Sequence, residues 1–386
     1  MRIADRVSNL PPYVFARLER RLRELMAQGK EIIRLDIGSP DLPPPSFIIE
    51  AMHRSMQDPS RHGYGGYYGT PELRQAMATY YESRFGVKLD PKREVAPLIG
   101  SKEGIANVAL AFVDPGQTVL VPDPGYPTYG LGTLLAGGVS IPVPLFAESG
   151  YLPDLEAIPS EVARSAKILW LNYPNNPTGA VASLEFFERV VSFARRHELL
   201  VCHDNPYCDI TFDGYRAPSL LQIPGAMDVA LEFNSLSKTY NMAGWRVGMA
   251  VGNSAAVEAL AQTKTNIDSG IFLPIQDAAV VALTGDQSWL EQRNEIYRER
   301  RDLIFGTLQE MGIQVDRPVA SLYLWARTPE GYNSVDFATR LLEEAGISIT
   351  PGTAFGPHGE GYLRISLGTG TSRIREAMER LKSFAF

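Results

Sequence analysis

Cysteine is nearly missing from this chain: Cys202 and Cys208 are the only two among 386 residues. That excludes a disulfide framework and fits a reducing cytosol. Positive charge is also short, with 37 Lys and Arg against 44 Asp and Glu for a net charge of −7. No broad basic field exists to hold nucleic acid or anionic lipid, so any phosphate must be gripped locally by a few donors. An uninterrupted apolar run of membrane-spanning length is absent. The opening Met1-Arg2-Ile3-Ala4-Asp5-Arg6 puts charges where a signal peptide needs its apolar core. A cytoplasmic protein with neither nucleic-acid nor membrane partners is expected. Repeats and low-complexity tracts are lacking too. The 45% of hydrophobic residues is ordinary for a globular chain, enough for one large core and a second domain.

What is present is an alternation of short apolar runs with helical stretches between about Glu94 and Gly252. The runs are Val95–Ile99, Thr118–Val121, Val139–Val143, Ile168–Asn172, Leu200–His203, Val229–Phe233 and Val247–Val251. Nearly continuous hydrophobes suit strands covered on both faces, so the pattern predicts an α/β fold with a mostly parallel seven-stranded sheet between helices. Unusual residues close these runs, among them Asn172, Asp204 and Ser235, at the sheet edge where α/β proteins bind ligands. Val14, Leu18, Leu22, Leu25 and Met26 mark one side of an N-terminal helix that Gly29 stops. After Leu283 a charged helix (Trp289 to Met311) leads to strands near Leu322–Trp325 and Tyr362–Leu367. The expected division is a large domain over 46–283 and a smaller α+β domain from 1–45 with 284–386.

Candidate chemistry gathers at the run ends. Lys238, in Ser235-Leu236-Ser237-Lys238, follows a buried strand; a lysine there is costly when charged, so its amine becomes nucleophilic. Ser235, Ser237 and Arg246 are placed to hold a phosphate, or else form a solvated surface turn. Asp204 emerges from the core as the anion that a pyridine ring nitrogen requires, or as an ordinary cap or Asx-turn. Tyr207 and Asn176, the latter in Asn172-Tyr173-Pro174-Asn175-Asn176-Pro177-Thr178-Gly179, are candidate donors to the ring oxygen of such a cofactor. Gly100-Ser101-Lys102 opens a helix expected over Ile105–Phe112, either presenting backbone N–H groups to an anion or capped by Ser101. Tyr126 suits stacking on a planar ring or plain packing. Arg364, within the apolar Tyr362-Leu363-Arg364-Ile365-Ser366-Leu367, calls for a carboxylate, from substrate or from the protein. Cys202, His203, Asp204 and Cys208 fit no zinc spacing, so no metal is expected.

In this order, these segments resemble the class I/II aminotransferases, the fold-type I family of pyridoxal-phosphate enzymes, from about Ile33 to Leu367. The resemblance implies pyridoxal 5'-phosphate held on Lys238, with Asp204 against the pyridine nitrogen. It places Asn176 and Tyr207 on the ring oxygen, Tyr126 on the ring face, and Ser101, Lys102, Ser235, Ser237 and Arg246 about the phosphate. It further implies a homodimer in which Tyr64 reaches the partner's phosphate, and a substrate carboxylate on Gly38 and Arg364. Leu35-Asp36-Ile37-Gly38-Ser39-Pro40-Asp41, Ile99-Gly100-Ser101-Lys102-Glu103-Gly104 and Asn266-Ile267-Asp268-Ser269-Gly270 are similar to the branch acting on LL-diaminopimelate and 2-oxoglutarate, in lysine synthesis. Asn205-Pro206 departs from the small residues of that branch. Aspartate- or alanine-type transamination and carbon–sulfur lysis share the same residues. A cofactor-bearing regulator without turnover is the remaining, non-enzymatic reading.

Overall fold

The computed structural model of this chain describes residues 1–11 and 13–385. In chain order its strands are β1 (Ile33–Arg34), β2 (Val95–Leu98), β3 (Thr118–Asp123), β4 (Val139–Pro144), β5 (Ala166–Asn172) and β6 (Leu200–Asp204). They continue as β7 (Ala230–Ser235), β8 (Gly248–Gly252), β9 (Tyr323–Arg327), β10 (Ile347–Ser348), β11 (Thr350–Pro351) and β12 (Tyr362–Ser366). β2 to β8 form one seven-stranded sheet in the order β2-β8-β7-β6-β5-β3-β4. All its neighbours are parallel except at β8, which runs against both β2 and β7. This is the mostly parallel α/β sheet that the apolar runs predict.

The near-continuous hydrophobicity has its cause in the two faces. Leu169, Leu171 and Val201 point into one core, beside Phe186, Phe187 and Val190 of the helix Leu184–His197. Ile168, Trp170 and Cys202, their alternates, point into the other, beside Ile105 and Val108 of the helix Ser101–Phe112. Successive side chains thus find apolar partners on opposite sides.

Glu232 and its partner His203 break the rule. Glu232 is fully buried in the middle of β7. It accepts from Tyr81 Oη at 3.0 Å, Ser219 Oγ at 2.9 Å and the Leu220 amide at 2.9 Å, and pairs with His203 Nδ1 at 2.8 Å. A buried carboxylate persists where its lone pairs are filled in this way. Glu232→Leu is expected to strand all four donors and cost about 3–5 kcal/mol of stability. Urea unfolding checks it: a loss below about 1 kcal/mol would remove the network from the account of the fold.

A further core lies beside a three-stranded antiparallel sheet, β11-β12-β9. Ile33 and Leu35 from the start of the chain pack there with Leu324, Ile365 and Met378 from its end. β1 pairs in parallel with β10, fastening the same two segments. Tyr207, Ile210 and Phe212, which follow β6, also insert into this core. The N-terminal helix spans Val14–Ala27. Leu22 and Leu25 are buried against Ile32 and Leu342, with Leu18 half-buried, whereas Met26 is exposed. The helix packs on too narrow a surface to cover the whole expected face; the Val14 side chain lies outside those described. Among the described residues no helix is long and apolar enough to cross a membrane.

Candidate active site

Asn172, Asp204 and Ser235 end β5, β6 and β7, and all three border a cavity of about 380 Å³. Pockets of this size suit small ligands. Its wall brings together every expected site residue except Tyr64: Gly38, Ser101, Lys102, Tyr126, Asn176, Asp204, Tyr207, Ser235, Ser237, Lys238, Arg246 and Arg364. Tyr64 is 89% exposed and stands apart from this wall.

Lys238 rides on the short helix Leu236–Thr239 directly after β7, where Ser235 Oγ caps the turn by accepting from the Ser237 amide at 3.2 Å. Its Nζ donates to the Gly38 carbonyl. Burial, then the neighbouring Arg364 and Arg246 guanidinium groups, lower the amine to about 8. The neutral, nucleophilic form is therefore a minority at neutral pH, yet far more populated than in an ordinary lysine. A Cβ on Gly38 would stand 3.0 Å from Tyr323 Oη, so a larger residue would crowd this corner.

Asp204 is neither a cap nor an Asx-turn: Oδ2 accepts from Tyr129 Oη, 75 residues away, at 2.8 Å. Its Oδ1 is buried with no hydrogen-bond partner, and burial pushes the carboxyl up to about 6. A carboxylate so desolvated suits a cationic N–H placed against Oδ1, as a protonated pyridine would present. The Asn172 amide donates to the Asp204 carbonyl at 2.7 Å and fixes the end of the strand. Tyr207 Oη lies 2.9 Å from Tyr323 Oη.

The helix expected from Ile105 begins earlier, at Ser101. Gly100 precedes it at φ 76° without a side-chain cap, so Ser101 is the first helical residue rather than the cap. Its amide is one of the free donors of a helix start. A Cβ on Gly100 would fall 2.1 Å from Arg246 Nη2, and one on Gly248 2.8 Å from the Ser101 amide. Two glycines thus let the helix start and Arg246 close on each other. Arg246 Nη1 donates to Ser237 Oγ at 3.4 Å and to the Ala243 carbonyl at 2.8 Å. Amide, hydroxyls and guanidinium converge as an anion cradle, with Tyr126 beside Tyr129 in an edge contact of 5.8 Å.

Arg364 is buried in β12. It donates to Asn176 Oδ1 at 3.0 Å, the Asp36 carbonyl at 2.7 Å and Thr350 Oγ1 at 3.4 Å, over the Tyr323 ring. Lys102 Nζ lies 4.3 Å from the centre of the Tyr13 ring. Among the described residues no His, Cys, Asp and Glu cluster is able to hold a metal ion. Cys202 packs with Trp170 and Phe233, while His203 turns to Glu232 on the other face.

Sequence reasoning passes over Tyr129 and Arg293. Tyr129 stacks on Trp170 at 4.7 Å and supports Asp204. Arg293, buried in the helix Trp289–Glu310, donates to the Lys238 carbonyl at 3.0 Å, the Thr239 carbonyl, and the Asp209 carbonyl at 2.6 Å. In a helix this rich in charge, nothing local separates Arg293 from its solvated neighbours.

The family model described as aminotransferase class I and II matches residues 30–381. The LL-diaminopimelate aminotransferase of Desulforudis audaxviator is 56% identical, covering 98% of this chain and 97% of its own. That of Moorella thermoacetica is 53% identical, covering 99% and 98%. Among solved structures, substrate-bound BacF of Bacillus subtilis superposes with a TM-score of 0.96 at 37% identity, covering 99% of this chain and 98% of its own.

Proposed function

The chain belongs to the class I and II aminotransferases, pyridoxal-phosphate-dependent transaminases of fold type I, and from that premise we propose that it moves an amino group between LL-diaminopimelate and 2-oxoglutarate. Support for the substrate comes from the relatives, which carry that name over nearly the full length of this chain. Such a reaction serves lysine synthesis. We place it in the cytoplasm, in a homodimer, with exposed Tyr64 reaching the partner's phosphate site. The proposed division is 46–283 and 1–45 with 284–386; the packing of Ile33 and Leu35 with Leu324, Ile365 and Met378 supports it.

The observation that carries the site is Lys238 and Asp204 facing one cavity, the amine lowered toward its neutral, nucleophilic form and the Asp204 Oδ1 left buried without a hydrogen-bond partner. Bound pyridoxal phosphate supplies an electron sink for the electrons released at the substrate α-carbon. Lys238 holds the cofactor through its amine, and once released moves the α-proton as a general acid–base. Asp204 Oδ1 keeps the ring nitrogen protonated. Asn176 and Tyr207 address the ring oxygen, and Tyr126 the ring face. The Ser101 amide, Ser235, Ser237 and Arg246 take the phosphate, with Lys102 adjacent. Arg364 forks onto the substrate α-carboxylate, with Gly38 leaving room beside it and Asn176 steadying the guanidinium.

Single-turnover half-reactions test the substrate. The cofactor-loaded protein is mixed separately with LL-diaminopimelate, glutamate, aspartate and alanine, and conversion to the amine form of the cofactor is followed by absorbance. Fast conversion by LL-diaminopimelate and glutamate, well above aspartate and alanine, is expected. Conversion only by the latter pair makes the enzyme an aspartate- or alanine-type transaminase. Pyruvate and sulfide release from cystathionine, without amino transfer, points instead to a lyase.

A further inference from the structure

The cavity has a second charged end. Glu19, from the helix Val14–Ala27, and Arg34 with Asp36, from the β1 segment, line the same wall as Lys238 and Arg364. Arg34 sets Nε and Nη2 on the two Asp36 carboxylate oxygens at 2.9 and 2.8 Å, and Nη1 lies 3.0 Å from Glu19 Oε2. Two carboxylates thus share one guanidinium, which leaves one negative charge over. Asp36 is buried and fully engaged by the fork, whereas the Glu19 side chain is 45% exposed. The surplus acceptor capacity therefore belongs to Glu19.

A chain of polar contacts links it to the reacting end. Arg34 holds the side chain of Asp36 and Arg364 holds its backbone carbonyl, so one residue spans the two ends. The helix carrying Glu19 is also tied at its start, where Tyr13 lies under Lys102. Glu19 is thus held toward the cavity from two directions.

Resting on the LL-diaminopimelate reading, we infer that Glu19 is a specificity-determining residue: its carboxylate accepts the distal ammonium of a diamino dicarboxylic substrate whose α-carboxylate lies on Arg364. A charge-assisted N–H···O bond in a partly desolvated pocket favours that substrate over one of equal length without the distal amine. Glu19 is the informative position, because removing Arg34 would strand the buried Asp36 carboxylate.

The test compares wild type with Glu19→Gln in half-reactions with LL-diaminopimelate and L-2-aminopimelate, which has the same carbon chain and carboxylates but lacks the distal amine. Thermal unfolding of both proteins is recorded alongside. Wild type is expected to prefer LL-diaminopimelate by about tenfold or more in kcat/KM, and Glu19→Gln to bring that ratio close to one. An unchanged ratio in the variant overturns the inference, as does an equal fall for both substrates, which marks Glu19 as a structural pin for its helix. So does a wild type that does not distinguish the two. A wild type inert toward LL-diaminopimelate yet active on glutamate overturns the substrate reading itself, and the inference with it.

Discussion

Lys238→Ala is expected to lower kcat by about 10⁴-fold, the upper end for a general acid–base group. Two losses would coincide, because the proposed mechanism gives one amine both the hold on the cofactor and the transfer of the α-proton. The fold should survive, because Ser235 still caps the turn and Arg293 still grips the backbone carbonyl of residue 238. Unfolding temperature near wild type, together with partial recovery of turnover by added small primary amines, would show that chemistry and not structure was removed. A variant within tenfold of wild type would dismiss Lys238 as the base. The same amine sets a pH dependence in the free protein. With its pKa lowered to about 8, the neutral form that attacks the cofactor aldehyde is a minority below that value. Stopped-flow capture of pyridoxal phosphate should therefore speed up roughly tenfold per pH unit below pH 8 and level off above it. A flat profile across that range, or one that falls with rising pH, would contradict the assignment.

Asp204→Asn should cost about 10²–10³-fold in kcat, the scale of a lost electrostatic contact to developing charge. An amide still accepts from Tyr129, so the strand end keeps its shape while the ring nitrogen loses its anion. Asp204→Glu, which keeps the charge, should recover part of the loss. The wild-type carboxyl stands at about 6 in the free protein, because burial disfavours its charged form. Its cationic partner wants the charged form, so cofactor affinity should be full above pH 6 and fall as the pH drops through it. In Asp204→Asn that dependence should vanish. For folding alone the sign is reversed. The raised pKa contributes stability that is fully present below the ordinary value of 3.8 and is lost as pH rises through about 6, on the order of 3 kcal/mol. Fluorescence titration of the cofactor against pH measures the first effect and urea unfolding of the apoprotein the second. If Asp204→Asn kept the wild-type pH profile of affinity, the carboxylate would have no part in holding the ring.

Much of this site is legible because its pieces are local. Ser235-Leu236-Ser237-Lys238, Gly100-Ser101-Lys102 and the polar residue closing β5 or β6 each combine a strand end with the loop after it, and both signals lie within a few residues. The two-faced apolar runs likewise decide the sheet before any long-range contact is known. What escapes is burial of polar groups by distant elements. Glu232 passes as an interruption of an apolar run, yet its four partners come from Tyr81, His203, Ser219 and Leu220. Arg293 carries no distinguishing local mark, since besides the neighbouring Asn294 side chain its acceptors are backbone carbonyls of segments 50 to 90 residues upstream. The helix start at Ser101 escapes for a related reason. Gly100 in a left-handed conformation, pressed against Arg246, begins the helix where side-chain periodicity alone places its onset later.

The sequence by itself determined the α/β class and the mostly parallel sheet and pointed to Lys238 and Asp204, because strand patterning and chemistry-bearing loops are written in contiguous residues. Only the tertiary structure decided that Asp36, near the start, and Arg364, near the end, meet at one cavity wall, and that Glu19 stands with them. Closing a chain over some three hundred residues depends on which cores pack, and that free energy is summed over non-local contacts that no local window contains.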